Sequence, residues 1–185
     1  MSETPQLARA VLADQMAIIR AEFGEGVHQA ALAQLSVTDR ETLLGLGTLG
    51  WSDVEMAKRY KDSVADQVGQ GSIEFQRWIV KTAASRTVKG IWRMLLSQVW
   101  DEALVKRIPI IYQRTFDKGA MSASFESVGT ASIFVTGWPR IPDYDVIGLQ
   151  VGIEGVLQAL GREGTTAHAT RTADGVHYRV RWKTK

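Results

Sequence analysis

The clearest alternation of apolar and polar positions lies in TRTADGVHYRVRWKTK, residues 170–185. Val176, Tyr178, Val180 and Trp182 fall on one face of a strand, and His177, Arg179, Arg181 and Lys183 on the other. Asp174-Gly175 is a strong hairpin signal, because both central residues of the favoured turn need positive φ. With those two at the tip, Thr172 pairs with His177, Thr170 with Arg179 and Ala169 with Val180. Ala167, Ala169 and Ala173 then join the apolar face. Small alanines opposite large side chains leave room for a covering helix, so that face is expected in the core and the basic face in solvent. The last strand is expected to close a sheet.

Upstream, the period is helical. Thr4 before Pro5 reads as a helix start, with Leu7, Val11, Ile18 and Ile19 as its apolar stripe, over residues 4–35 with an interruption at Phe23-Gly-Glu-Gly26. LLGLGTLGW, residues 43–51, reads as a buried turn. Ser52-Asp-Val-Glu55 fits a capping box ahead of a helix bearing Val54, Ala57, Tyr60, Val64 and Val68 on one face. That helix stops at Gly69-Gln-Gly71, and Ser72 opens the next, with Phe75, Trp78, Ile79 and Ala83 inward. Asp101 caps a short helix that must end before Pro109, which suits the first turn of another, closed by Gly119 as a left-handed cap.

From residue 120 the period drops to two. AMSASFES and TASIFVTG flank Val128-Gly129 as a hairpin. DVIGLQVGIEGVLQALG follows as a helix ending at Gly161. Val146, Leu149, Ile153, Val156, Leu157 and Leu160 form its stripe for the sheet, while Gly148, Gly152 and Gly155 share the opposite side. Each glycine costs about 1 kcal/mol in a helix relative to alanine, so three together imply close approach by another backbone. A second helix is preferred there to a ligand groove. The fold class is α+β: an N-terminal helical region, then a four-stranded antiparallel sheet (hairpin, helix, hairpin) packed on helices. Residues 1–50 are expected to form an N-terminal helical extension and 51–185 an α+β ligand-binding-like domain.

Composition narrows the chemistry. The 185 residues are 45% hydrophobic and 23% charged, an ordinary globular balance, so a proper core is expected. A net charge of +2 without a Lys/Arg tract favours a mixed, solvated surface and no nucleic-acid partner. There is no cysteine, which excludes disulfides, thiolate nucleophiles and Cys-ligated zinc. His28, His168 and His177 are the only histidines, and neither a metal nor a cofactor is expected. No signal peptide or membrane-spanning run is visible, so the expected location is the cytoplasm.

The run W100-DEALVKRIPIIYQRTFDKG119, followed by GLQVGIEGVLQALG and then His168 with Tyr178-RVRW182, resembles the 4-vinyl-reductase-like superfamily. That group includes haem-nitric-oxide-binding domains and TRAPP vesicle-tethering subunits. The closest resemblance is to myxobacterial paralogues of unknown function. It covers roughly residues 50–185. It implies a small-ligand pocket between helices and sheet, and homodimerisation through helices. Haem members place an axial histidine on a helix ahead of the first hairpin and carry Tyr-x-Ser-x-Arg further on. This chain has no Tyr-x-Ser-x-Arg, and His28 is its only histidine before Gly164. The cysteines of acyl-carrying and zinc-binding members are also missing.

Three functions follow. The first is a non-enzymatic sensory or regulatory domain that binds a small apolar ligand and homodimerises. Its candidate site is Trp92, Leu96, Tyr112, Phe116, Phe125 and Phe134, each of which could equally be core filling. The second is an interaction or scaffold module for a protein partner, motivated by the N-terminal helices and the apolar 88–100 segment. The third is an enzyme. It finds no support, because Glu25, Glu55, Asp101, Glu102, Asp143 and Asp145 lack a partner at acid–base spacing and Ser122, Ser124 and Ser127 lack a local base.

Overall fold

The computed structural model describes residues 5–87 and 101–183. The apolar 88–100 segment, with Trp92 and Leu96, lies outside the described residues. The chain divides into two units: Met1–Ile79 with Thr115–Asp117, and Val80–Arg114 with Lys118–Lys185. Residue 50, expected as the end of an extension, lies inside the first unit.

The first unit is mainly helical. Strand β1 (Gln6–Ala8) precedes α1 (Arg9–Ala33), α2 (Val37–Leu44), β2 (Trp51–Asp53), α3 (Val54–Gln67) and α4, which starts at Ser72 and ends at Thr87 in the other unit. The helix expected from Thr4 begins only at Arg9. The residues before it pair with β2, Leu7 opposite Ser52, and Phe116 bridges to Leu7. The interruption expected at residues 23–26 falls at Gly24, whose backbone is non-helical (φ 85°, ψ 164°), so α1 is two helical stretches that meet there at a kink. Its Leu12, Met16, Ile18, Ile19 and Leu32 are buried, as are Val54, Ala57, Tyr60 and Val64 of α3. The cap of α3 is Asp53, not Ser52: the Asp53 carboxylate accepts from the Glu55 N–H at 2.9 Å, while Ser52 sits buried in β2. The turn expected to be buried at 43–51 is largely outside. Leu43 turns inward, while Leu44, Leu49 and Trp51 are exposed.

The second unit is built on a sheet. It holds the end of α4, then α5 (Asp101–Val105), α6 (Ile108–Thr115, whose last residue belongs to the first unit), β3 (Ala120–Ser127), β4 (Thr130–Thr136), α7 (Asp143–Ala159), β5 (Thr166–Thr172) and β6 (Gly175–Arg181). The strands are antiparallel in the order β3-β4-β6-β5. Pro109 occupies the first turn of α6 as expected, but Gly119 is not that helix's cap. It stands four residues beyond the end, where the chain turns into β3.

Ala131, Ile133, Val135, Val176, Tyr178, Val180 and Ala167 bury the inner face of the sheet, and α7 lies against it. The Tyr178 hydroxyl donates to the Val146 carbonyl at 2.9 Å. The Ala167 N–H, on edge strand β5, donates to Glu154 Oε1 at 2.8 Å. The other side of α7 meets α4. A Cβ built on Gly155 would stand 2.9 Å from the Ala84 Cβ, and one on Gly152 would stand 3.6 Å from Val80. The glycine side is therefore a helix contact, as the sequence implies.

The last hairpin is offset from the expected register. Thr172 pairs with Gly175, Thr170 with His177 and Ala169 with Tyr178, so the tip is Ala173-Asp174. Tertiary bonds select it. The Asp174 carboxylate accepts from the Gly137 N–H at 2.9 Å, and its carbonyl accepts from the Trp138 N–H at 3.1 Å. Gly175 presses so close to β4 that a Cβ would lie 2.1 Å from the Val135 carbonyl oxygen. The offset of two keeps the faces: Val176, Tyr178, Val180 and Trp182 are buried, and Arg179, Arg181 and Lys183 are exposed. Ala169 and Ala173, expected in the core, are exposed at the edge. Trp182 Nε1–H donates to Asp101 Oδ2 at 3.0 Å, and Arg162 pairs with Asp101 Oδ1 at 2.8 Å, which fastens the end of β6 to α5.

Two substitution pairs test this packing by urea-midpoint shifts. Trp182→Ala is expected to cost about 3–5 kcal/mol and Arg181→Ala well under ~1 kcal/mol. Gly155→Ala should destabilise by about 1–3 kcal/mol through overpacking against Ala84. Gly152→Ala, with ordinary van der Waals spacing, should be neutral or gain up to about 1 kcal/mol of helix propensity.

Candidate functional site

Of the six candidate site residues, Tyr112, Phe116, Phe125 and Phe134 are among the described residues. Tyr112, on α6, is 3% exposed and its hydroxyl donates to the Lys118 carbonyl at 2.9 Å. Phe125, on β3, pairs with Ala131 on the inner sheet face and is half-buried. Phe134 points the other way. It lies on the outer face, opposite His177, and is 38% exposed. Phe116 belongs to the first unit, half-buried beside Leu7. Tyr112 and Phe125 are thus the described candidates that turn to the interior of the sheet-bearing unit.

Polar clusters that sequence reasoning misses occupy both units. On the outer sheet face, the Phe134 and His177 rings stack with centroids 4.3 Å apart and planes at 7°. Ser132 Oγ lies 3.0 Å from His177 Nε2 and donates to Glu126 Oε1 at 2.5 Å. With its proton given to Glu126, Ser132 can only accept from the imidazole. Its hydroxyl is therefore held by a carboxylate and is not activated by a base. Only the strand parity of Ser132, Phe134 and His177 could flag this group from sequence.

In the first unit, His28 is 3% exposed and its Nδ1 lies 2.8 Å from the Tyr60 hydroxyl. Burial lowers the His28 pKa from its ordinary value, which keeps the ring neutral and able to accept the Tyr60 proton. Burial also raises the Tyr60 hydroxyl, so it stays protonated as the donor. Lys61, 5% exposed, donates to Gln76 Oε1 at 3.0 Å. A cleft of about 540 Å³ in this unit is lined by Gln34, Leu35, Ser36, Asp39, Arg59, Asp62, Ser63 and Asp66. Arg59 grips Asp39 with two bonds, of 2.8 and 3.0 Å, and so holds that carboxyl below its usual range. Lys58 and Ser72 occupy Asp62. This cleft is polar and offers little to an apolar ligand.

No protein-family profile and no curated protein sequence matches the chain. Solved structures do. An unliganded ferrous H-NOX protein from K. algicida is 8% identical, with a TM-score of 0.67 over 97% of this chain and 98% of its own. An oxygen-binding H-NOX domain related to soluble guanylate cyclases, in its oxygen complex, is 10% identical, with a TM-score of 0.67 over 96% of both chains. An H-NOX structure from work on haem distortion is 10% identical, with a TM-score of 0.65 over 96% of both. The chain therefore has the haem-nitric-oxide-binding-like α+β fold.

The side chains present do not fit a histidine-ligated haem. His28 is committed to Tyr60 inside the helical unit, His168 is exposed on β5, and His177 is stacked on Phe134 outside the sheet. These are all the histidines in the sequence. Among the described residues no group of three or more His, Asp or Glu side chains could hold a metal ion.

The His28–Tyr60 pair predicts a pH dependence. The unfolded chain takes up a proton near pH 6.5, and the folded chain only at lower pH. Stability from this group is complete above about 6.5 and is lost as pH falls from there toward the folded pKa. Urea midpoints measured from about pH 7.5 down to about 5.5 should fall more steeply for the natural chain than for His28→Gln. Parallel slopes would show that His28 is not held neutral.

Proposed function

We propose that this chain is a non-enzymatic sensory or regulatory domain that binds a small apolar ligand and homodimerises through helices. The observation that carries the reading is the end-to-end likeness to oxygen-binding H-NOX domains combined with histidines placed where none fits an axial ligand. A scaffold used elsewhere for a small ligand is here paired with a different chemistry. Tyr112 and Phe125, with Trp92 and Leu96 of the 88–100 segment, are the proposed contacts in the sheet-bearing unit. The glycine side of α7 cannot serve as the dimer surface, since α4 residues of the same unit occupy it. Among the described residues, Ile110 and Ile111 of α6, 48% and 45% exposed, are apolar helical side chains offered there instead. Among the described residues no helix is long and apolar enough to cross a membrane.

A second reading, an interaction module for a protein partner, has its own support. Val37, Leu44, Leu49 and Trp51 are all exposed within one stretch of the first unit, and clustered apolar exposure of this kind marks interaction surfaces.

Native mass spectrometry of the purified chain separates the two. The sensory reading expects twice the 20.4 kDa chain mass and a retained small molecule, lost in Phe125→Ala. A bare 20.4 kDa monomer would sink it, whereas a dimer without any small molecule would leave the interaction module.

A further inference from the structure

We propose that the outer face of the four-stranded sheet binds single-stranded nucleic acid. Composition speaks against such a partner because the bases form no tract in the sequence. The strand period gathers them. Arg179, Arg181 and Lys183 occupy alternate positions along central strand β6 and its extension, about 7 Å apart. All three are exposed and make no ion pair or side-chain hydrogen bond among the described residues. Exposed His168 lies directly across from Arg179 on β5. A row of unpaired cations at this repeat suits the phosphates of an extended strand.

The second element is aromatic. Phe134 and His177 lie on the two central strands and stack face to face, 4.3 Å apart. Beyond Phe134 stands Ser122 on β3, and beyond His177 stands Thr170 on β5. Both flanking side chains are small, so the neighbouring strands do not set a bulky side chain against the outer ring faces. A base laid against either ring extends the stack, and any base can do so because each has a flat π face. Ser124, Thr136 and Thr166 add exposed hydroxyls on the same face. Glu126 is an acid on this face whose carboxylate accepts from Ser132, and exposed Glu163 stands at the end of the cation row, its carbonyl accepting from the Lys183 N–H at 2.8 Å.

The flatness of the surface selects a polymer over a small molecule. An open sheet cannot enclose a single nucleotide, whereas an oligonucleotide accumulates contacts along β6. An acidic protein segment would use the cations but leave the aromatic stack idle.

Fluorescence anisotropy on the full chain tests the proposal, with labelled oligouridylate and oligodeoxythymidylate of about ten nucleotides and polyglutamate as the acidic control. Binding of one or both oligonucleotides is expected at about 50 mM salt, and the stronger of the two identifies RNA or DNA as the source. Phe134→Ala and His177→Ala should each weaken binding about tenfold. Arg181→Gln and Lys183→Gln should each lower the logarithmic salt slope by about 0.7. Circular dichroism and melting curves measured on every variant, half-buried His177→Ala included, show whether a loss is due to unfolding. No oligonucleotide binding at low salt would overturn the proposal, and so would binding indifferent to both ring variants. Equal binding of polyglutamate would assign the face to an acidic protein segment instead.

Discussion

Helix α7 is the member on which the second unit depends, because it is held on two sides by different means. Toward the sheet it offers buried apolar side chains and a backbone carbonyl, Val146, to the Tyr178 hydroxyl. Toward α4 it offers glycine, and at Gly155 the approach leaves no room for even a methyl group. Removing side chains is what lets two helices come this close, and the helix propensity given up is about 1 kcal/mol per glycine. Glu154 of the same helix reaches edge strand β5 and occupies the Ala167 N–H. An edge group that would otherwise be open to another strand is thereby closed.

The two faces of the sheet consequently have unlike roles. The inner face is committed to α7, and the Tyr178 hydroxyl at its centre is held protonated by burial. The outer face carries the stacked histidine, the hydroxyls, the exposed phenylalanine and the unpaired cations. In the first unit, chemistry is internal. His28, Lys61 and Ser63 are each buried and hydrogen-bonded to a neighbour, so they fix the packing of the helices and do not offer a reactive surface.

Much of this is legible wherever the signal is local. The change from helical period to period two at residue 120, the Val128-Gly129 turn and the glycine side of α7 each depend on neighbours within a few residues, and each appears in the fold. Strands β1 and β2 are not legible. Three residues carry no period, and the pairing of Leu7 with Ser52 is set by tertiary contact. The register of the last hairpin departs from expectation for a similar reason: Asp174 is captured by Gly137 and Trp138, which a local turn rule cannot see. Phe134 is hard to place from sequence because Ile133-Phe134-Val135 is an apolar run without alternation. Counting parity from buried Ala131 puts it outside. The candidate site is therefore only partly readable, since a set of aromatics says nothing about which side of a sheet each ring takes.

Histidine placement carries the functional reading, and haem reconstitution tests it most directly. Ferrous haem added to the purified chain should give no one-to-one complex with an imidazole-ligated spectrum, because His28, His168 and His177 are all placed elsewhere. A stoichiometric complex with that spectrum, abolished by replacing any one of the three histidines, would contradict it.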